Sequence, residues 1–255
     1  TPKQLHLYEL FDKKPPHFGH MTLITNTEGK KLSKRDESII QFISQYKDLG
    51  YIPEAIFNFL ALLGWSPVGE EEVFAHKQFC EIFDVERLSK SPSKFDVDKL
   101  EFFSGVYMKQ ISNNEYFDLV KPFLNKEFTE IDFTTDENKE KLLLFKNEIK
   151  YGAEISEKIK IFFSKEYNIS KEAQEFINSN DLHKKVVESF LTNIKTINWT
   201  IDEITKVINS IKEEFNVKGK NLFMPIRIAA TGQMHGPALK ETIYLIGQEK
   251  FINRK

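Results

Sequence analysis

Apolar residues in this chain recur mostly at helical spacing, and the exceptions lie near its start. "MTLIT", residues 21–25, is a short β-type run, and residues 1–36 as a whole read as strand and loop. Beyond them, Ile39, Phe42, Ile43 and Tyr46 stand at i, i+3, i+4 and i+7. That spacing predicts a helix with Asp36, Glu37 and Ser38 ahead of it and Gly50 at its end. Pro53 opens the next helix, "PEAIFNFLALLG", which is apolar nearly all round and stops at Gly64. A helix of that kind belongs in a core.

Further on, Asp96 is placed as an N-cap before Leu100, Phe103 and Tyr107. From about Asn113 the pattern is helix after helix, and Thr200-x-x-Glu203 has the form of a capping box. The acidic stretch from Asn125 to Asp136 interrupts this pattern as a loop or seam. In "GKNLFMPIRIAATGQMHGPAL", residues 219–239, glycines and prolines surround apolar residues, which predicts a structured turn between helices. No internal repeat is present. The expectation is a mainly α chain: a first module with a short β edge over residues 1–112, then helical modules over 113–185 and 186–255.

Composition narrows the class without choosing a function. Hydrophobic residues make up 40% and charged residues 29%, as in ordinary globular domains. No apolar run approaches a membrane span, and no charged-then-apolar leader opens the sequence. The chain starts at Thr1 rather than Met, which suggests a piece of something longer, and the cytoplasm is the expected compartment. The single cysteine, Cys80, leaves no internal disulfide or cysteine-rich zinc site, so no zinc is expected. The net charge is −2, yet residues 212–255 hold eight Lys and Arg against four Glu. A basic end on an acidic chain suggests a polyanionic partner.

Two stretches look like nucleotide-handling motifs and read better as coincidences. His17-x-Gly19-His20 follows Pro15-Pro16 and precedes a β-type run, so no helix can start there to meet phosphates. Arg87-Leu88-Ser89-Lys90-Ser91 lacks a glycine ahead of it and is stiffened by Pro92, as a connection between helices would be. Lys31-Leu32-Ser33-Lys34-Arg35 differs from both. Gly29 supplies a hinge, a strand precedes it and a capped helix follows, so its lysines suit a triphosphate that gains charge in a transition state. Arg227, flanked by apolar residues and followed by two glycines, suits hydrogen bonding to or stacking on an unpaired base. His235 is a second stacking candidate, whereas Trp65, Trp199 and the phenylalanines read as core.

Taken together, "GKKLSKRD", "YIPEAIFNFLALLGWSP", "RLSKSPSKFDVDKL" and "LFMPIRIAATGQMHGP", in that order, resemble bacterial glutamyl-tRNA synthetase, a class I aminoacyl-tRNA synthetase. Residues 112–215 match it only in helical character. The resemblance implies the C-terminal portion of a ligase, starting just before the lysine-serine loop. That ligase activates glutamate with ATP and Mg²⁺ and passes it to the 3′ end of tRNA(Glu). It further implies that Lys34 and Lys31 are catalytic and that Lys31, Ser33, Lys34 and Arg35 bind ATP, with Arg35 replacing the serine of many class I relatives. Arg227, Pro237 and Leu239 match family positions that contact anticodon bases, and Gly232, Gly236 and Pro237 would let backbone approach them. The middle domain would supply an arginine or lysine to read the last anticodon base, left unassigned, with Lys146 and Lys150 as candidates. The expected partners are tRNA(Glu), ATP and glutamate, with no membrane and a monomeric state; whether tRNA(Gln) is also charged stays open. On this reading the isolated chain does not activate glutamate. The alternative is a stand-alone tRNA-binding or regulatory module, and a general single-strand RNA binder is a third possibility.

Overall fold

A computed structural model describes residues 1–32, 40, 42–164 and 167–253. The fold is mainly α, as the periodicity predicts. The chain divides into two compact units, Thr1–Tyr46 with Ile52–Phe103, and Lys47–Tyr51 with Ser104–Lys255.

The first unit opens with a helix, α1 (Pro2–Leu10), where the sequence reads as strand and loop. Pro at the first turn suits a helix start, but none of its residues is buried. Leu5, Leu7, Leu10 and Phe11 are all exposed, so no apolar stripe marked the helix in the pattern. β1 (Ile24–Thr25) falls within "MTLIT" and pairs in parallel with β2 (Ser93–Lys94), Ile24 opposite Ser93. After β1 the chain turns back on itself, and Thr25 bridges Lys31 in antiparallel fashion. Asn26 holds that turn: its Oδ1 accepts from the N–H groups of Glu28 and Lys30 at 3.1 and 2.9 Å.

α2 (Ile43–Leu49) ends before Gly50, and α3 (Pro53–Leu62) runs from its proline toward Gly64. The predicted cap residues Asp36, Glu37 and Ser38, and Ile39, lie outside the described residues. α3 buries Ala55, Asn58 and Phe59 but leaves Leu60 exposed, so it lies at the side of a core rather than within it. Trp65, Phe74 and Phe79 extend this core, with α4 (His76–Ile82) packed on α3. Trp65 donates to the Asp84 carbonyl at 3.1 Å. Asn58, fully buried, does what no apolar pattern announces. Its amide donates to the Glu72 carbonyl at 2.7 Å and its Oδ1 accepts from the Phe74 N–H at 3.0 Å. α5 (Val97–Gln110) is capped by Asp96, which accepts from the Lys99 N–H at 3.2 Å.

In the second unit α6 (Asn113–Glu127) starts with a complete capping box, Ser112 and Glu115 each bonding the other's backbone N–H, which the sequence reading passed over. The interrupted stretch holds the connection from α6 to α7 (Asp136–Leu143). Two short helices follow, α8 (Glu154–Lys158) and α9 (Lys160–Phe163), joined at the buried Ile159. Then come α10 (Lys171–Asn178), α11 (Asp181–Asn193), α12 (Ile201–Glu214), α13 (Lys220–Thr231), α14 (Leu239–Ile246) and α15 (Gln248–Ile252). α11 packs on α13 and α12 on α14 around Val186, Phe190, Ile204, Ile211, Ile226 and Ile243. Thr200 accepts from the Glu203 N–H at 3.2 Å, but the Glu203 carboxylate bonds Lys206, so this box is half made. Trp199 is only half-buried, donating to the Tyr244 carbonyl at 2.9 Å.

Replacing Asn58 by alanine removes both bonds and leaves the buried Phe74 N–H without its side-chain partner. The expected loss is about 2–3 kcal/mol, read as a lower denaturant midpoint for the first unit. An unchanged midpoint would contradict a structural role for Asn58.

Candidate nucleic-acid interface

Of the stretch read as a turn over residues 219–239, Lys220–Thr231 form the helix α13, and the turn that remains, residues 232–238, is where the second unit opens a cavity. α13 buries Leu222, Pro225, Ile226 and Ile228, which leaves Arg227 on its flank, half-buried. The helix ends at Gly232 in the left-handed region, φ +73°, with the Gly232 N–H donating to the Ile228 carbonyl at 2.8 Å. The segment before α10 seals this end. The Ser170 N–H donates to the Gly232 carbonyl at 3.0 Å, and the Tyr167 hydroxyl bonds the carbonyls of Ile228 and, at 2.9 Å, Ala229. A Cβ on Gly232 would lie 2.2 Å from the Asn168 carbonyl oxygen. The space beside Gly232 is therefore filled by protein. This corrects the expectation that Gly232 lets backbone approach a base.

The fold brings Arg227 and Pro237 together. Arg227 Nη1 donates to the Pro237 carbonyl at 2.8 Å, folding the turn back over α13. Gly236, at φ +151°, passes so close that a Cβ there would sit 3.3 Å from Nη1. With Tyr167, Lys158, Lys160 and His235 they line a cavity of about 520 Å³, within the range of nucleotide-sized sites. Burial pushes the Arg227 pKa below its ordinary value, opposed by the Glu148 carboxylate. The guanidinium nonetheless stays charged. Lys160 bonds Glu157 at 2.6 Å and Glu127 at 2.9 Å, and these carboxylates hold its pKa above the usual lysine range.

Other predicted residues lie elsewhere. Leu239, the first residue of α14, is buried and does not line the cavity. Lys146 Nζ is engaged by the Ile111 carbonyl at 2.5 Å and Asn113 Oδ1 at 3.1 Å. Lys150 lies along Gly105, 3.0 Å from where a Cβ would be, and neither lysine lines the cavity. Tyr167, Lys158 and Lys160 do, though no motif pointed to them. They come from a segment some sixty residues before Arg227, where the sequence shows only helical character.

In the first unit Lys31 is exposed on the rung with Thr25. Ser33, Lys34 and Arg35 lie outside the described residues. His20 and the Ser89–Lys90 pair, from the two look-alike motifs, line a further cavity of about 550 Å³. Two of its polar side chains are engaged within the chain: His20 Nε2 with Thr1 at 2.8 Å, and the Ser89 hydroxyl with the Ser91 backbone. Arg87 donates to the Ser66 and Pro67 carbonyls, which makes this segment a fastened connection between α4 and α5. Among the described residues no group of three or more His, Cys, Asp or Glu is placed to hold a metal, and no helix is long and apolar enough to cross a membrane.

The family model of the catalytic domain of class I tRNA synthetases (E and Q) matches residues 1–102, and that of an anticodon binding domain matches residues 115–254. The glutamate–tRNA ligase of Bacillus pumilus (strain SAFR-032) is 47% identical over 259 aligned residues, covering all of this chain and 53% of that protein. The chain belongs to the glutamyl-tRNA synthetase family. The glutamate–tRNA ligase of Bacillus subtilis (strain 168) is 48% identical, again over 53% of its length. This member of the family thus spans about half the length of the curated relatives it matches. A crystal structure of a glutamate tRNA ligase from Elizabethkingia meningosepticum, in complex with its amino acid, matches with a TM-score of 0.74 and 25% identity. It covers 99% of this chain and 54% of that one. The glutamate-tRNA synthetase of Elizabethkingia anophelis matches equally well, over 52% of its chain. The catalytic-domain match ends at residue 102 and the first compact unit at Phe103. The cavity of Arg227 and Pro237 lies within the anticodon-binding match.

Gly232→Ala should destabilise the second unit by more than about 2 kcal/mol, because a left-handed backbone and a 2.2 Å contact act together. Thermal unfolding followed by circular dichroism measures this, and a wild-type midpoint would contradict the close approach at Asn168.

Proposed function

We propose that this chain is the tRNA-engaging C-terminal portion of a cytoplasmic, monomeric glutamate–tRNA ligase, and that the cavity of the second unit receives an anticodon base of tRNA(Glu). The observation that carries the reading is the Arg227–Pro237 bond inside an anticodon-binding match. One edge of the guanidinium is used to fix the turn, which leaves a planar, charged donor edge for a base. Pro237 and Gly236 offer a wall with no long side chain, and the Tyr167 ring adds an aromatic wall. Leu239, buried at the start of α14 two residues after Pro237, would act by anchoring the end of that turn. Residues from 145 to 172 and from 227 to 237 together form the lining, so the modules over 113–185 and 186–255 would share the site.

The first module, to residue 112, would carry the lysine-serine loop and contact the tRNA stem. Lys34 and Lys31 would neutralise charge on the reacting phosphates of ATP, with Ser33 and Arg35 as further ATP contacts. ATP, with Mg²⁺ as its counter-ion, supplies the activated phosphate, and glutamate is the amino acid transferred. The basic balance of residues 212–255 favours a polyanion such as tRNA.

Binding of this chain to a tRNA(Glu) transcript and to anticodon-altered transcripts, at low and moderate salt, tests the reading. Changing one anticodon base should cost about 1–3 kcal/mol, and Arg227→Ala should remove that discrimination at one position. Equal binding of all transcripts by the wild-type chain would overturn the assignment of the cavity. In the ligase that carries this loop, Lys34→Ala should lower the rate of glutamate activation by roughly 100-fold or more, measured by ATP–pyrophosphate exchange. A rate near wild type would remove Lys34 from the catalytic set.

A further inference from the structure

Three cations line the cavity, and they are not equivalent. Lys160 is held by two carboxylates, Glu127 and Glu157. Arg227 is anchored to the Pro237 carbonyl. Lys158 has no ion pair or hydrogen bond among the described residues, although it is half-buried and lines the same space. It ends α8 one residue before the buried Ile159 and three after the buried Ile155, so its backbone is fixed by the core at the edge of the cavity it lines. The other carboxylate on the lining, Glu172, stands in the first turn of α10, where helix dipoles favour negative charge, and makes no ion pair with Lys158.

We propose that Lys158 holds the backbone phosphate of the nucleotide whose base meets Arg227; this rests on the function proposed above and adds a positioning residue to it. An RNA nucleotide brings a planar base and an anionic phosphate together, and the two cations suit different halves of it. A guanidinium fork matches the hydrogen-bonding edge of a base, whereas a lysine ammonium is a compact point charge for phosphate. Phosphate contacts set register and base contacts set sequence preference. Lys158 should therefore contribute affinity that is indifferent to base identity and sensitive to salt.

The test uses the full chain and anticodon stem-loop hairpins, one with the matched glutamate anticodon and others altered at a single anticodon base. Lys158→Ala should weaken binding of every hairpin alike, by about 3- to 10-fold, and reduce the log–log salt slope by about 0.7–1. The ratio between matched and altered hairpins should stay at its wild-type value, which Arg227→Ala would not preserve. Lys158→Arg should keep affinity within about two-fold and Lys158→Glu should weaken it beyond alanine; circular dichroism confirms that each variant is folded. Wild-type affinity and salt slope in Lys158→Ala would overturn the proposal. So would a changed ratio between hairpins, which would make Lys158 a base reader. Lys158-dependent binding of inorganic phosphate with no effect on RNA would overturn it as well, in favour of a free-anion site. Failure of the wild-type chain to bind any hairpin is a separate result that sinks the function proposed above.

Discussion

The second unit depends on one close approach, between the end of α13 at Gly232 and the backbone at Asn168. With no side chain at residue 232, the segment leading into α10 lies directly on the last turn of α13, and Ser170 and Tyr167 take up carbonyls that a helix end leaves free. That seam is the floor from which both cavity walls rise. It places Tyr167 on the same space as the turn that Arg227 pins to the Pro237 carbonyl. A single missing methyl group thus sets the shape of a site that stretches over some ninety residues of sequence.

Charge is distributed along this unit in a way that net counts conceal. Several of its lysines are paired locally: Lys184 with Asp181, Lys206 with Glu203, and the largely buried Lys141 with Glu137. Exposed pairs such as the first two contribute little to stability, but all three remove cations from competition for an anionic partner. What is left unpaired beside the cavity then has more influence on where a polyanion settles than the overall balance does.

Legibility in the sequence followed the source of each signal. α3 and α5 were readable because Pro53, Asp96 and the spacing of apolar positions are local devices, and the turn after α13 because glycine and proline punctuate it. α1 was not, since a helix that buries nothing leaves no periodicity to find. Asn58 escaped notice because a buried amide in an apolar run looks like an interruption until its partners at Glu72 and Phe74 are known. In the site, Arg227 and Pro237 were marked by their own neighbourhood. Lys158 and Tyr167 arrive from a distant helical segment, and only the fold reveals that they face the same space. Gly232 was noticed for the right reason, absence of a side chain, and given the wrong neighbour.

The short parallel pair of Ile24–Thr25 with Ser93–Lys94 ties together positions far apart in sequence, and the turn ending at Lys31 is built on it. Closing so long a loop is entropically unfavourable, and two residues of ladder recover little of that cost. The pairing is affordable only because the aromatic core of Trp65, Phe74 and Phe79 organises the chain between the strands. The placement of the turn that ends at Lys31 is in this sense leased from a core elsewhere along the chain. Under the function proposed above, a conservative change deep among those rings would present at the bench as a weakened grip on ATP, with every loop residue intact.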